Sequence, residues 1–247
     1  MTIINLCGPR SSIEAILWII GRYNLDNLTK GQTMPTEPTV YVIDDEPDIC
    51  RVLSDILEAA HIKVKTYTSP REFMLTYSPE NPGCLLLDIG MPEINGLELM
   101  ETLIAQGNRT PVIFLTGNAT IANAVEMLKA GAVDFIEKPP QIDLLLSCVG
   151  KALEVDLQRR YEQLQFSNID QRLKLLTARE REVLTWITEG KSNKMIARIL
   201  DISSRTVEIH RANILNKMQA HSVAELVKMD LTAKEYMTTT GGENSSY

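Results

Sequence analysis

Short apolar runs alternate with stretches of helical period through much of the chain. Three of the runs occupy residues 40–43, 84–87 and 112–115, and weaker ones cover 64–66 and 133–137. Each run is β-branched or leucine-rich, which is typical of a strand buried in a parallel sheet. Because a helical pattern follows each run, we predict five strand–helix repeats and an α/β domain with a five-stranded parallel sheet.

Polar residues stand at the ends of four of these runs. They are Asp44 and Asp45, Asp88, Thr116, and Lys138. Ligands of open α/β sheets bind outside the carboxyl ends of the strands, so we expect these side chains to converge at one edge of the sheet. Clustered carboxylates raise each other's pKa, and a hard divalent cation such as Mg²⁺ relieves that conflict. The pattern therefore predicts a phosphorylation site built around a divalent metal.

A shorter helical segment follows the α/β pattern. A capping box formed by Thr177 and Glu180 begins the first of four predicted helices. Ser192 caps the second, and the turn 201–203 leads into a longer third helix over residues 204–218. Two helices joined by a three-residue turn inside a small bundle are typical of a helix-turn-helix, so we predict a small all-α DNA-binding domain.

These patterns divide the chain into five segments. The predicted segments are an N-terminal extension (1–37), an α/β domain (38–155), a linker expected to be helical (156–172), an all-α domain (173–237) and a disordered tail (238–247). The extension contains an apolar run at 13–20 that is too short to span a bilayer. Three interpretations of the extension stay open, namely a small amphipathic helix, disorder, or an artefact of an upstream start, because Met34 begins a short lead directly before the first strand.

Charge separates the two domains. Residues 38–155 hold 17 acidic and 8 basic side chains, whereas residues 173–237 hold 8 acidic and 11 basic ones. This contrast indicates that only the second domain meets a polyanion. The four cysteines (Cys7, Cys50, Cys84 and Cys148) are far apart without metal-like spacing, so we expect them to be reduced and the protein to be cytoplasmic, with no membrane partner.

Residues 38–237 as a whole resemble a bacterial two-component response regulator of the FixJ/NarL type. The first half carries the complete aspartate, threonine and lysine set of a receiver domain, within Val-Ile-Asp-Asp-Glu (42–46), Leu-Leu-Leu-Asp-Ile-Gly-Met-Pro (85–92) and Phe-Ile-Glu-Lys-Pro-Pro (135–140). The second half matches a LuxR-type helix-turn-helix through residues 176–184, 192–194 and 205–211. The resemblance implies a flavodoxin-like receiver followed by a DNA-binding domain.

The resemblance also implies roles for the clustered residues. Asp88 would accept a phosphoryl group, and Thr116 and Lys138 would bind the phosphate. The implied ligands of Mg²⁺ are Asp45 and Asp88 directly, Asp44 through water, and the backbone carbonyl of Gly90. Phe135 would be the aromatic residue that rotates when Thr116 moves towards the phosphate, and Gly90 and Asn118 would flank the path of the water that hydrolyses the acyl phosphate.

The same resemblance implies partners. They are a cognate sensor histidine kinase, double-stranded DNA, a second copy of the chain when phosphorylated, and RNA polymerase. The protein is not expected to be an enzyme beyond phosphotransfer to itself and autodephosphorylation. Two rival interpretations are an aspartyl phosphatase of the haloacid dehalogenase type and an unphosphorylated receiver that serves only to dimerise. The phosphatase would carry its nucleophile on the first strand as Asp-x-Asp, which this chain lacks, and the complete receiver set argues against the second rival.

The helix predicted at 204–218 has two faces. At 100° per residue, the stripe expected to pack inward carries Val207, His210, Ile214 and Met218, with His210 as a satisfied core or interhelical histidine. The opposite stripe, expected to enter the major groove, carries Arg205, Ile209, Ala212 and Asn216, with Glu208 and Asn213 at its margins. Contacts to DNA phosphates are expected from Lys191, Lys194, Arg211 and Lys217.

Overall fold

The computed structural model describes residues 12–29, 37–117, 125 and 127–239. They form two compact units, whose boundary along the chain lies between Gln158 and Arg159. The first unit contains the strands β1 (Thr39–Ile43), β2 (Lys63–Tyr67), β3 (Gly83–Asp88), β4 (Val112–Thr116) and β5 (Asp134–Glu137). Its helices are α1 (Ser12–Thr29), α2 (Pro47–Ala59), α3 (Pro70–Thr76), α4 (Gly96–Ala105) and the first part of α5 (Ile142–Lys174).

The five strands form one parallel sheet in the order β2-β1-β3-β4-β5. The predicted five-stranded parallel sheet is thus confirmed. The strands β1, β3 and β4 are buried along their whole length, whereas the edge strand β2 exposes Lys63 and Lys65. Of the helix predicted between the last two strands, residues 127–129 are helical, and much of the remainder lies outside the described residues.

Two apolar layers cover the sheet, because alternate side chains of a strand point to opposite faces. One layer joins Val42, Leu86 and Leu115 to helices α1, α2 and α5. The other joins Ile43, Leu87 and Phe114 to α3 and α4. Cys50, Cys84 and Cys148 are buried in the first layer as free thiols, while Cys7 lies outside the described residues.

Helix α1 belongs to the core of the first unit. Ile16, Ile19, Ile20 and Tyr23 are buried in the layer that also contains α2 and α5. Residues 12–29 of the extension are thus helical, and one face of that helix packs in the core of the first unit. No helix among the described residues combines the length and the apolar character that crossing a membrane requires.

The second unit is entirely helical. It contains the last part of α5, followed by α6 (Ala178–Thr188), α7 (Asn193–Leu200), α8 (Ser204–Met218) and α9 (Val223–Thr239). Phe166, Ile169 and Leu173 of α5 pack in its core, so apolar residues on both sides of residue 173 contribute to this unit. Residues 238 and 239 are helical rather than part of a tail, and the rest of the predicted tail lies outside the described residues.

Side chains cap the helices of the second unit as the sequence predicted. Thr177 and Glu180 form the capping box of α6, and Ser192 accepts a hydrogen bond from the backbone of Met195 at the start of α7. Asp201 adopts a left-handed conformation that ends α7, and Ser203 caps α8 immediately afterwards. These local choices set the sharp turn between α7 and α8.

Candidate functional site

The strand register brings the predicted pocket residues to one edge of the sheet. Ile43 of β1 pairs with Leu87 of β3, so Asp44 follows its strand beside Asp88. Asp88 in turn pairs with Leu115, which places Thr116 at the end of the next strand. Lys138 follows β5, and its backbone amide donates to the carbonyl of Thr116 at 2.8 Å. Four separate segments of chain thus end at the same place.

The side chain of Lys138 bridges two buried carboxylates. Its Nζ lies 2.6 Å from Oδ2 of Asp44 and 2.7 Å from Oδ1 of Asp88. Asp44 is fully buried, and Asp88 is 5% exposed. Glu46 lies further out, with its Oε1 at 3.8 Å from the same ammonium. Sequence reasoning did not select Glu46, although its place directly after two aspartates could have drawn attention to it.

Burial and charge set the protonation of this cluster. Burial raises the pKa of Asp44, hydrogen bonds from Lys138 and from the amide of Glu46 oppose the rise, and the net pKa stays above its usual range. Burial also lowers the pKa of the Lys138 ammonium, but hydrogen bonds to Asp44 and Asp88 outweigh burial and leave that pKa raised. The Lys138 side chain therefore stays positively charged and paired with the two aspartates.

The three aspartates have the geometry of a cation site. Asp44, Asp45 and Asp88 each offer a carboxylate oxygen, and these oxygens lie within 4.8 Å of one another. Asp45 is exposed, which leaves the group open to solvent on one side. The cluster holds three aspartate carboxylates and one ammonium, that of Lys138, so negative charge is in excess. An all-oxygen donor set with excess negative charge fits a hard divalent cation.

Two glycines lie close to Asp88 in the segment that follows β3. A Cβ at Gly90 would lie 3.5 Å from Oδ2 of Asp88, so the backbone of Gly90 runs beside the carboxylate. A Cβ at Gly96 would lie 2.3 Å from the backbone oxygen of Asp88, a distance that no side chain tolerates. Gly96 therefore lets the first turn of α4 approach Asp88.

Thr116 and Phe135 share one face of the sheet. Phe135 pairs with Phe114, and Thr116 pairs with Glu137, so the aromatic ring and the hydroxyl lie on the same side two positions apart. Thr116 is buried and Phe135 is half-buried. Asn118, the other residue predicted to affect the acyl phosphate, lies outside the described residues.

The outer face of α8 is exposed as predicted. The exposed side chains are Arg205, Glu208, Ile209, Ala212, Asn213 and Asn216. Arg205 and Glu208 form an ion pair at 3.2 Å on this face. The inner stripe is buried at Val207, Ile214 and Met218. Lys191 and Lys194 are exposed, and Arg211 is half-buried.

Two residues of α8 differ from their predicted surroundings. The Nζ of Lys217 lies 2.7 Å from Oε2 of Glu180, so an ion pair to a buried carboxylate engages the ammonium that we predicted to meet DNA. His210 is half-buried, and its buried Nδ1 has no hydrogen-bond partner among the described residues. Neither feature follows from helical spacing, because both depend on which neighbouring helix faces α8.

Comparisons with known proteins agree with both units. Residues 40–149 match the family model of the response regulator receiver domain, and residues 174–230 match that of the luxR family of bacterial regulatory proteins. The transcriptional regulatory protein FixJ of Azorhizobium caulinodans is 39% identical over 200 residues, which cover 81% of this chain and 95% of the relative. The response regulator protein TmoT of Ectopseudomonas mendocina is 35% identical over 199 residues, covering 81% and 90%.

A solved structure is similar as well. The response regulator StyR matches with a TM-score of 0.71 and 35% identity, covering 79% of this chain and 99% of the other. Family models and relatives thus agree on the same two domains in the same order. The chain therefore belongs to the FixJ-type two-component response regulators, in which a receiver domain and a LuxR-type helix-turn-helix domain make a phosphorylation-activated, DNA-binding regulator of transcription.

Proposed function

We propose that Asp88 is the residue that accepts the phosphoryl group, and that a sensor histidine kinase supplies it. One observation carries this proposal: the carboxylate of Asp88 lies at the end of β3, where Lys138 bridges it to Asp44 and where carboxylate oxygens of Asp44 and Asp45 lie within 4.8 Å. Asp44 is fully buried, whereas Asp88 retains some exposure. Of the two carboxylates that Lys138 bridges, Asp88 is therefore the better placed to meet a phosphoryl donor.

We propose Mg²⁺ as the cation of the acidic cluster. The excess of carboxylates over the Lys138 ammonium and the exposed position of Asp45 support this choice. Asp45, Asp88 and the carbonyl of Gly90 would be direct ligands, and Asp44 would bind through water. When bound, the cation neutralises the charge of the transferring phosphoryl oxygens. This role leaves Asp88 ionised and able to act as a nucleophile.

The chemical step then requires little from the protein beyond positioning. A carboxylate oxygen of Asp88 forms a bond to phosphorus while the phosphorus–nitrogen bond of the donor phosphohistidine breaks, and the imidazole leaves. Lys138 is already within ion-pair distance of Asp88 and provides a positive charge for a phosphate oxygen. Attack of water on the same phosphorus would return free Asp88, which is the autodephosphorylation that we propose.

Thr116 and Phe135 are proposed to pass the change onwards. Phosphorylation replaces the single charge of the Asp88 carboxylate with a phosphate that carries roughly two negative charges, and the hydroxyl of Thr116 can donate a hydrogen bond to the new phosphate. Movement of Thr116 towards Asp88 would free space on the sheet face that Phe135 shares. Rotation of the half-buried Phe135 ring into that space would alter the surface made by β5 and the neighbouring helices, where we propose that phosphorylated receivers pair.

The exposed face of α8 is proposed to read DNA. Ile209 and Ala212 can contact thymine methyl groups, and Glu208 can accept from a cytosine amino group. Arg205, Asn213 and Asn216 complete the face. Lys191, Lys194 and Arg211 are proposed to contact phosphates, which position the protein without specifying sequence. Lys217 shares its ammonium with Glu180, so we expect its phosphate contact to be the weakest of the four.

A dimer and its surroundings complete the proposal. Pairing of receivers would place two helix-turn-helix units on neighbouring half-sites and raise affinity through effective concentration. Contact with RNA polymerase would then change transcription. Because the chromosomal DNA of a bacterium lies in its cytoplasm, we propose that the protein acts there.

Incubation of the full chain with acetyl phosphate and Mg²⁺, followed by intact-mass measurement, tests the proposal. We expect one phosphoryl group per chain, none on the Asp88→Asn variant, and none when EDTA removes the cation. Asp48→Asn is the matched control, because Asp48 is exposed on α2 and pairs with Arg51 rather than with Lys138. A phosphoryl group that persists on Asp88→Asn would refute the assignment. Continuous release of phosphate without a stable adduct would favour a phosphatase.

A further inference from the structure

Helix α1 is an addition to the receiver fold of this chain. The match to the receiver family begins at residue 40, after α1 has ended. Yet Ile16 and Tyr23 are as deeply buried as the strands of the sheet. A Cβ added at Gly150 of α5 would lie 3.3 Å from Cγ1 of Ile16, so the two helices are in close contact at that point. Helix α1 therefore covers part of α5 that would otherwise be exposed.

Tyr23 joins α1 to two other segments through a buried carboxylate. Its hydroxyl lies 2.7 Å from the carbonyl oxygen of Leu153 and 3.0 Å from Oδ2 of Asp156. The same Oδ2 accepts the backbone amide of Gly83 at 2.9 Å. Asp156 is 3% exposed, so these donors compensate the burial of its carboxylate. The junction connects α1, α5 and the first residue of β3, the strand that ends at Asp88.

Asp156 lies near the point along α5 where the first unit gives way to the second. The first unit ends at Gln158, and the helix continues into the second unit. The last buried residues before that boundary are Leu153, Asp156 and Leu157. From residue 158 to residue 168 no side chain of α5 is buried, and a stretch of helix with few buried contacts opens locally at low cost in free energy. The contacts with α1 are therefore placed where loosening of α5 would begin.

We propose that α1 is a clamp: it keeps residues 153–158 of α5, the last of this helix in the first unit, packed against the sheet. The hydrogen bond between Tyr23 and Asp156 is the central contact of this clamp. Signalling depends on the clamp, because α5 is the stretch of chain that connects the receiver to the second unit and passes a change in the receiver on to it. This second statement rests on the proposed phosphorylation of Asp88. Loosening the clamp would leave phosphorylation intact and reduce the resulting gain in DNA affinity.

Hydrogen–deuterium exchange on the full chain tests the clamp directly. Tyr23→Phe removes only the hydroxyl, and we expect the amides of residues 153–158 to exchange faster by on the order of fivefold, as the loss of one buried hydrogen bond implies. The control is Tyr67→Phe, which removes a hydroxyl that accepts a bond from Thr76 in the opposite apolar layer. This control should leave residues 153–158 unchanged. Equal exchange in Tyr23→Phe and the unaltered chain would overturn the proposal.

DNA affinity with and without acetyl phosphate tests the consequence. The Tyr23→Phe chain should take up phosphate like the unaltered chain and should gain less affinity. An unchanged gain, despite faster exchange, would make the junction purely structural and overturn the signalling role. If the unaltered chain itself gains no affinity on phosphorylation, the proposed function fails instead. Hydrogen–deuterium exchange then still tests whether α1 keeps residues 153–158 folded. A chain beginning at Met34 should show the same faster exchange at 153–158 in stronger form.

Discussion

Lys138 Nζ lies 2.7 Å from the carboxylate of Asp88, and the same nitrogen lies 2.6 Å from Asp44. Asp44 follows β1, Asp88 is the last residue of the neighbouring β3, and Lys138 follows β5 at one edge of the sheet. The ammonium therefore neutralises part of the charge that the fold concentrates there. Its removal would leave buried carboxylates facing one another.

The first prediction concerns this ion pair. Lys138→Met should lower the free energy of unfolding of the first unit by roughly 3 kcal/mol without Mg²⁺, since breaking a buried pair leaves uncompensated charge. Added Mg²⁺ should recover part of the loss. The control is Lys151→Met, whose exposed pair with Asp134 should contribute less than about 1 kcal/mol. Equal losses in denaturant titrations of both variants would contradict the argument.

A second prediction concerns pH and the second unit. Burial raises the pKa of Glu180, but hydrogen bonds from Lys217 and Thr177 outweigh it and hold the pKa below its ordinary value of 4.5. A carboxylate whose pKa is lower in the folded state than in the unfolded state stabilises the fold. This stabilisation is complete at pH values above the pKa of the unfolded state, and it is lost as the pH falls through the pKa of the folded state. The unfolding free energy of this unit should therefore decline as pH drops below about 4.5.

Glu180→Gln should flatten that decline and destabilise the second unit at neutral pH. Glu182→Gln is the control, because Glu182 lies on the same helix but is exposed and pairs with Arg179 at the surface. Denaturant titrations of the unaltered chain and the two variants at several pH values give the comparison. If Glu180→Gln and Glu182→Gln left the same pH dependence, the Lys217 pair would not be its source.

The third prediction separates base contacts from phosphate contacts on α8. Ile209→Ala or Asn213→Ala should cost on the order of 1–3 kcal/mol at one base pair and relax the preference there. Lys194→Ala should lower the affinity for DNA of every sequence to the same extent. It should also reduce the slope of log affinity against log salt concentration by about one. Binding to a set of single-base variants measures both. Loss of preference in His210→Ala alone, with the domain still folded, would mean that α8 is turned differently.

Thr116 provides a fourth prediction. The Thr116→Ala variant should still be phosphorylated at Asp88. Its gain in DNA affinity on phosphorylation should be roughly tenfold smaller than that of the unaltered chain, because a charge-assisted hydrogen bond to the phosphate is missing. Thr102→Ala is the control, since the Thr102 hydroxyl is exposed and bonds the backbone of its own helix. A full gain in affinity for Thr116→Ala, measured by fluorescence anisotropy, would exclude Thr116 from the switch.

The sheet and its pocket were predictable because local pattern and topology agree there. Buried apolar runs ending in Asp44, Asp88, Thr116 and Lys138 predict a parallel sheet, and a parallel sheet gathers strand ends at one edge. Helix caps in the second unit were predictable for a similar reason, because a cap joins residues only three positions apart.

Contacts between distant segments were not predictable in the same way. The apolar run at 13–20 left a helix as one of several interpretations, and nothing local shows that Tyr23 meets Asp156, which is 133 residues away. The pair of Lys217 with Glu180 and the unpartnered Nδ1 of His210 likewise depend on packing between helices. The packing of Phe166 and Ile169 of α5 in the core of the second unit was not predictable either, because these residues do not interrupt the helical pattern of the predicted linker.

The most direct test of the account is the DNA affinity of the full chain before and after treatment with acetyl phosphate and Mg²⁺. The duplex can be enriched from a random pool by the treated, unaltered chain. We predict that treatment raises the affinity of the unaltered chain and leaves the Asp88→Asn chain unchanged, although both bind DNA weakly without treatment. An equal rise in the two chains, or no rise in either, would contradict the claim that phosphorylation of Asp88 controls DNA binding.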